Sequence, residues 1–138
     1  MRIAVDFDGT IVEHRYPEIG REIPFAVATL KQLIREGHLL ILWSVREGEL
    51  LDEAVEWCRA KGIEFYAVNS DYPDEDETLS KKISRKLKVD LFIDDRNVGG
   101  LPDWGVIYEM INSNKTYEQV LREIINAPKP EKKPWWKF

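Results

Sequence analysis

The stretch Arg2-Ile-Ala-Val-Asp-Phe-Asp-Gly-Thr-Ile11 constrains this chain more than any other. A short apolar run, Ile3 to Val5, leads directly into Asp6, and Asp8 follows two residues later. In an extended strand, residues i and i+2 face the same side, so Asp6 and Asp8 are expected to share one cleft at the strand's end. Two carboxylates that close repel each other, and the fold must offset that cost. A divalent cation is the simplest way to do so, and oxygen ligands of this kind suit magnesium. Gly9 permits a turn closed to other residues and offers backbone N–H groups to an anion.

A chain of 138 residues suits one domain with a real core, and its 43% hydrophobic content excludes wholesale disorder. The longest apolar run, Leu39 to Trp43, is strand-sized and far too short to span a bilayer. The N-terminus lacks a basic-then-apolar leader pattern, so the expected location is the cytoplasm, with no membrane partner. The single Cys58 cannot form an internal disulfide, which agrees with a reducing compartment. A net charge of −5 argues against general nucleic-acid binding.

Taken in order, Arg2 to Asp6 is the first strand. Ile11 to Ile23 is a polar connection holding Pro17 and Gly20, a loop or small hairpin. From Pro24, apolar residues Phe25, Ala28, Leu30, Leu33 and Ile34 recur at helical spacing up to Glu36, and Gly37 ends that helix. His38 to Trp43 is continuously apolar, as in a strand buried on both faces. Leu50, Leu51, Ala54, Val55, Trp57 and Cys58 mark a second helix up to Lys61. Ile63 to Val68 is a third strand, and Asn69 to Thr78 an acidic loop. Leu79 to Leu87 has room for a short helix. Asp90 to Ile93 is a fourth strand, ending in Asp94-Asp95. Trp104 to Ile107 fits a short fifth strand. Thr116 suits an N-cap before a helix from Tyr117 to Asn126. The domain is expected over residues 1–127, with a Lys/Pro/Trp-rich tail over 128–138.

Strands alternating with helices predict an α/β, three-layer Rossmann-like fold with a mainly parallel sheet. In such sheets ligands gather at the carboxyl ends of the strands, where Asp6, Ser44, Asn69 and Asp94 all fall. Sequence-distant polar residues thus converge on one rim.

Asp6-Phe-Asp-Gly-Thr10 after an N-terminal apolar strand resembles motif I (DxDGT) of the haloacid dehalogenase-like (HAD) phosphohydrolase superfamily. Ser44, ending the second strand, matches its motif II, and Asp94-Asp95 after Leu91-Phe92-Ile93 matches motif IV. The resemblance runs from about Arg2 to Asp95. It implies a HAD-like phosphohydrolase, specifically a magnesium-dependent phosphatase acting on a phosphomonoester through an aspartyl-phosphate. Asp6 would be the nucleophile and Asp8 the general acid and base. Mg2+ would be held by the Asp6 side chain, the Asp8 backbone carbonyl and Asp94, with Asp95 acting through water. Ser44 would hold a phosphoryl oxygen. Motif III needs a lysine; Lys86 is the first choice and Lys82 the second, with Lys81 and Lys88 nearby.

Gly9, Thr10, Ser44, Arg46, Asn69 and Arg96 complete the expected phosphate- and substrate-binding rim. Arg46 and Arg96 would either grip substrate or pair with the acidic loop. His14 lies in the loop after motif I, where a substrate would enter. The two places where relatives insert a cap domain, Ile11 to Ile23 and Asn69 to Leu79, are too short for one. The resemblance therefore implies a capless member with an open site, or one covered by a second copy in a homo-oligomer or by the Trp135-Trp136 tail. The substrate is a phosphorylated compound whose identity the loops decide. Two alternatives keep the fold: a catalytically silent binding or assembly module, and a phosphotransferase to an acceptor other than water. A receiver-type signalling module would carry its acceptor Asp after the third strand, where this chain has Val68-Asn69.

Overall fold

The computed structural model describes residues 1–73 and 87–127. The described elements are β1 (Arg2–Val5), α1 (Ala26–Arg35), β2 (Leu39–Leu42), α2 (Gly48–Ala60), β3 (Ala67–Val68), β4 (Leu91–Ile93), α3 (Trp104–Ser113) and α4 (Tyr117–Asn126). The strands form one parallel sheet in the order β3-β2-β1-β4. This is the α/β, three-layer Rossmann-like architecture expected from the alternation of strands and helices. The Lys86 and Lys82 assignments, most of the Leu79–Leu87 helix and the 128–138 tail lie outside the described residues. Among those described, no helix is long and apolar enough to cross a membrane.

β1 is the central strand, with Ile3 facing Leu40 of β2 on one side and Leu91 of β4 on the other. Its continuous apolarity has a simple cause, since both of its faces are covered. Ile3, Val5 and Phe7 point into a large cluster with Leu30 and Leu33 of α1, Ala54 and Cys58 of α2, and Trp104 and Ile107 of α3. Ala4 points the other way, to Ile41, Ala67 and Leu87. The chain leaves β3 at one edge and re-enters the sheet as β4 on the far side of β1. The strand order therefore reverses between β1 and β4, and the carboxyl ends of those two strands flank the switch point where such sheets bind ligands.

Several boundaries differ from expectation. Trp104 to Ile107 is not a fifth strand but the first turn of α3. The Asp103 side chain accepts the Gly105 N–H at 2.8 Å, and Trp104, Ile107 and Ile111 are buried at helical spacing. A four-residue apolar window cannot separate the two periods; the cap and the residues beyond it do. The third strand contracts to Ala67–Val68 because the Ile63 N–H turns back to the Cys58 carbonyl at 2.9 Å, closing α2. α1 begins at Ala26, and Phe25 stands outside it, exposed, with φ of 68°. The Glu22 carboxylate accepts the Val27 N–H at 3.0 Å and supplies the missing cap. The connection after β1 is a small hairpin, pinned by Glu13 N–H to the Arg21 carbonyl at 2.7 Å and Ile23 N–H to the Ile11 carbonyl at 2.9 Å. Thr116 caps α4 through a reciprocal capping box with Gln119.

Trp104 also reaches the post-β1 turn. Its indole N–H donates to the buried Thr10 carbonyl at 3.0 Å. Trp104→Phe keeps most of the apolar area and removes this donor, so urea unfolding is expected to show a loss of about 1–3 kcal/mol. An unchanged midpoint would show that the bond does not anchor the turn.

Candidate active site

Asp6 is the first residue past β1, and its N–H donates to the Ile93 carbonyl of β4 at 3.0 Å. That bond brings the Asp6 carboxylate beside Asp94 and Asp95, which leave β4. One carboxylate oxygen from each of the three lies within 4.8 Å of the others, and all three residues are half-buried. The donor set is wholly anionic oxygen, which fits a hard divalent cation. Burial is the largest influence on Asp6, and the Asp94 charge adds to it. The Phe7 N–H partly offsets both, while Asp95 acts against ionisation again. Together these push the Asp6 carboxyl up to about 7.

The turn after Asp6 is shaped to let this cluster close. Gly9 has φ of +83°, and a Cβ there would lie 2.2 Å from Asp95 Oδ2. No other residue meets both demands. The fully buried Thr10 hydroxyl accepts the Asp95 N–H at 3.2 Å and lies 3.4 Å from both Asp6 Oδ2 and Asp95 Oδ1. Thr10 thus ties the two strand ends together. The expected anion-holding role of these backbone N–H groups needs correction. Gly9 N–H donates to the Val12 carbonyl at 2.7 Å and Thr10 N–H to the Phe7 carbonyl at 3.2 Å, so both are spent inside the turn.

Asp8 does not share its carboxylate with this cluster. β1 ends at Val5, the turn begins after Phe7, and the two-residue periodicity no longer holds at Asp8. Its oxygens accept from Arg46 instead: Nε to Oδ2 at 2.7 Å and Nη2 to Oδ1 at 2.7 Å. Arg46 is fully buried, so it is neither the exposed substrate grip nor the acidic-loop partner expected for it. Its other donors reach the carbonyls of Pro17 at 3.1 Å, Glu18 at 2.9 Å and Leu50 at 3.5 Å. The Phe7 and Tyr16 rings lie 5.3 and 5.2 Å from its guanidinium carbon. The hydrogen bonds to Asp8 hold Arg46 protonated beyond its ordinary value.

Ser44 and Asn69 lock the neighbouring strand ends. Ser44 N–H donates to Asn69 Oδ1 at 2.8 Å, and Asn69 N–H returns to the Leu42 carbonyl at 2.8 Å. Ser44 Oγ accepts the Arg46 N–H at 3.1 Å, while α2 has Glu47 at its N-cap position. Ser44 is therefore joined to Asn69 and Arg46 rather than capping the helix. Asp94 Oδ1 also accepts the Arg96 N–H at 2.9 Å, so the acidic pair forms a turn as well as the cluster. Arg96 and His14 are exposed, and Lys88 is exposed with its N–H on Asp71 Oδ1 at 2.6 Å. The sequence reading missed the Arg46–Asp8 pair. No local period marks it, and only the need of a buried arginine for a carboxylate could have pointed to it.

No family model and no curated protein matches this chain. Among solved structures, it is similar to a conserved protein coded by a locus of Bacteroides thetaiotaomicron. The two are 72% identical, the match covers 87% of this chain and 96% of that one, and the TM-score is 0.80. This chain belongs to the same family as that protein. At this identity and coverage, the two family members share the fold.

The raised Asp6 value sets a pH dependence of stability. Unfolded, Asp6 titrates near 3.8; folded and without a cation, it titrates near 7. Between those values the folded chain holds the extra proton, so stability in chelator should fall as pH rises from about 4 to 7 and then level off. The expected loss of Tm is roughly 5–10 °C, restored by millimolar Mg2+ at pH 8 and removed by Asp6→Asn. A Tm that ignores both pH and Mg2+ would show that the three carboxylates do not act as a unit.

Proposed function

We propose that this protein is a magnesium-dependent phosphatase of the HAD superfamily, acting on a phosphomonoester through an aspartyl-phosphate on Asp6. The observation that carries the reading is the approach of Asp6, Asp94 and Asp95 oxygens to within 4.8 Å at the switch point of a parallel sheet. The motif order along the chain supports it independently. A divalent cation on this trio would supply the positive charge that keeps Asp6 ionised and offsets charge on the phosphoryl oxygens. The nucleophile must be a carboxylate, and burial and the Asp94 charge work against that form of Asp6 when no cation is bound.

In the first step an Asp6 oxygen attacks phosphorus, the bond to the leaving oxygen breaks, and Asp8 passes to that oxygen the proton it took from water in the preceding turnover. In the second, Asp8 takes a proton from water as the water oxygen attacks phosphorus and Asp6 is released. Each Asp8 oxygen keeps a lone pair beyond its bond to Arg46, so the carboxylate can accept that proton while held. Thr10 holds Asp6 and Asp95 at a fixed spacing through both steps. Asp94 and Asp95 would hold the cation together with Asp6. The hairpin after β1 is too small to be a cap, which fits an open site and a substrate bound mainly by its phosphate.

The test is hydrolysis of p-nitrophenyl phosphate by the purified chain, with Mg2+ and with chelator. Turnover should require Mg2+ and fall by at least about 1,000-fold in Asp6→Asn, with the fold intact by melting. Asp8→Asn should lower kcat while leaving the Mg2+ midpoint unchanged. Retained turnover in Asp6→Asn excludes it as nucleophile. If the generic ester is refused, a Mg2+-dependent beryllofluoride adduct on Asp6 separates a selective phosphatase from a silent binding module.

A further inference from the structure

Resting on the phosphatase reading, we infer that Arg46 is a positioning residue, which acts on the reaction only through Asp8 and never touches the substrate. The observation behind this is how completely its guanidinium is used. All five side-chain hydrogen bonds go to protein oxygens: two to Asp8, and one each to the Pro17, Glu18 and Leu50 carbonyls. A guanidinium has five N–H donors, so none is left for a phosphate. The Phe7 and Tyr16 rings also lie against the guanidinium, and no part of the residue reaches solvent.

Stability alone is a poor reason for this arrangement. Taking a guanidinium and a carboxylate out of water costs several kcal/mol per ion, and well-packed apolar residues often serve as well or better. What a buried fork provides is direction. Two parallel N–H···O bonds fix the plane of the Asp8 carboxylate, and a lysine, as a point charge, cannot do the same. The three carbonyls fix the fork in turn. Pro17 and Glu18 belong to the hairpin after β1, and Leu50 to the first turn of α2. Ser44 Oγ holds the Arg46 backbone N–H at 3.1 Å, and Asn69 holds Ser44. The chain of contacts thus runs from β3 through β2 to Asp8, on the side of β1 away from Asp94 and Asp95. Proton transfer depends steeply on such orientation, and a small misplacement of a catalytic group costs on the order of 100-fold.

The experiment is a double-mutant cycle on p-nitrophenyl phosphate with Mg2+: wild type, Arg46→Lys, Asp8→Asn and the double variant. Arg46→Lys should lower kcat by about 30-fold or more, with KM and the Mg2+ midpoint within about 3-fold of wild type. The double variant should be no slower than Asp8→Asn alone, because the arginine has nothing left to aim. Losses that multiply in the double variant would overturn the inference and leave a merely structural staple. A raised KM at unchanged kcat would overturn it in favour of direct substrate contact. If Arg46→Lys does not fold, Tyr16→Ala loosens one face of the guanidinium without removing it. Its kcat should fall by about 3–10-fold, and that loss should vanish in the Asp8→Asn background. A wild-type chain with neither Mg2+-dependent turnover nor a beryllofluoride adduct would overturn the phosphatase reading itself, and this inference with it.

Discussion

Carboxylates brought together at the ends of neighbouring strands repel one another, and much of the surrounding structure exists to hold them there. Asp6, Asp94 and Asp95 meet because β1 and β4 pair in parallel and end level with each other. Nothing in the trio itself favours this approach. Burial and the neighbouring charges act against ionising Asp6, and only the Phe7 N–H among its main influences favours the charged form. The supports come from outside: Thr10 bridges the two strand ends, Gly9 leaves room for Asp95, and Trp104 holds the Thr10 carbonyl from the far side. The three carboxylates thus stay together through contacts that other parts of the chain supply.

The remaining carboxylate, Asp8, is handled in the opposite way. It is paired in advance, with a buried arginine that belongs to the protein. Two residues apart in sequence, Asp6 and Asp8 thus meet different surroundings: one among like charges, the other against a guanidinium. Neighbours in sequence, the two acids are set apart by what packs beside each one. The same division explains why the hairpin after β1 is folded back on itself. Its carbonyls at Pro17 and Glu18 complete the arginine's shell, so a loop that reads as a plain connection is part of the wall behind Asp8.

Much of this was legible in the residues. The runs Ile3 to Val5, Leu39 to Trp43 and Leu91 to Ile93 read as buried strands because each is short, continuously apolar and followed by polar residues, a pattern set by local chemistry. The α4 capping box was legible at Thr116 for the same reason. Trp104 to Ile107 misled because four apolar residues fit either period, and the deciding Asp103 cap is one residue outside the window. The Ile63 to Val68 run misled because the end of α2 captures the Ile63 N–H, a competition that propensity does not register.

The sequence by itself determined which residues stand at strand ends, since side-chain period and turn chemistry act over a few residues. It thereby fixed Asp6, Ser44, Asn69 and Asp94 on one rim of a parallel sheet. Only the tertiary structure decided how those side chains pair. The choice between a carboxylate cluster and an ion pair for two neighbouring aspartates depends on which distant chain segment arrives beside each. Asp95 reaches Asp6 across the β1–β4 pairing, and Arg46 reaches Asp8 from the exit of β2, thirty-eight positions along the chain. Such pairings are set by strand order and burial, which no local pattern in the sequence encodes.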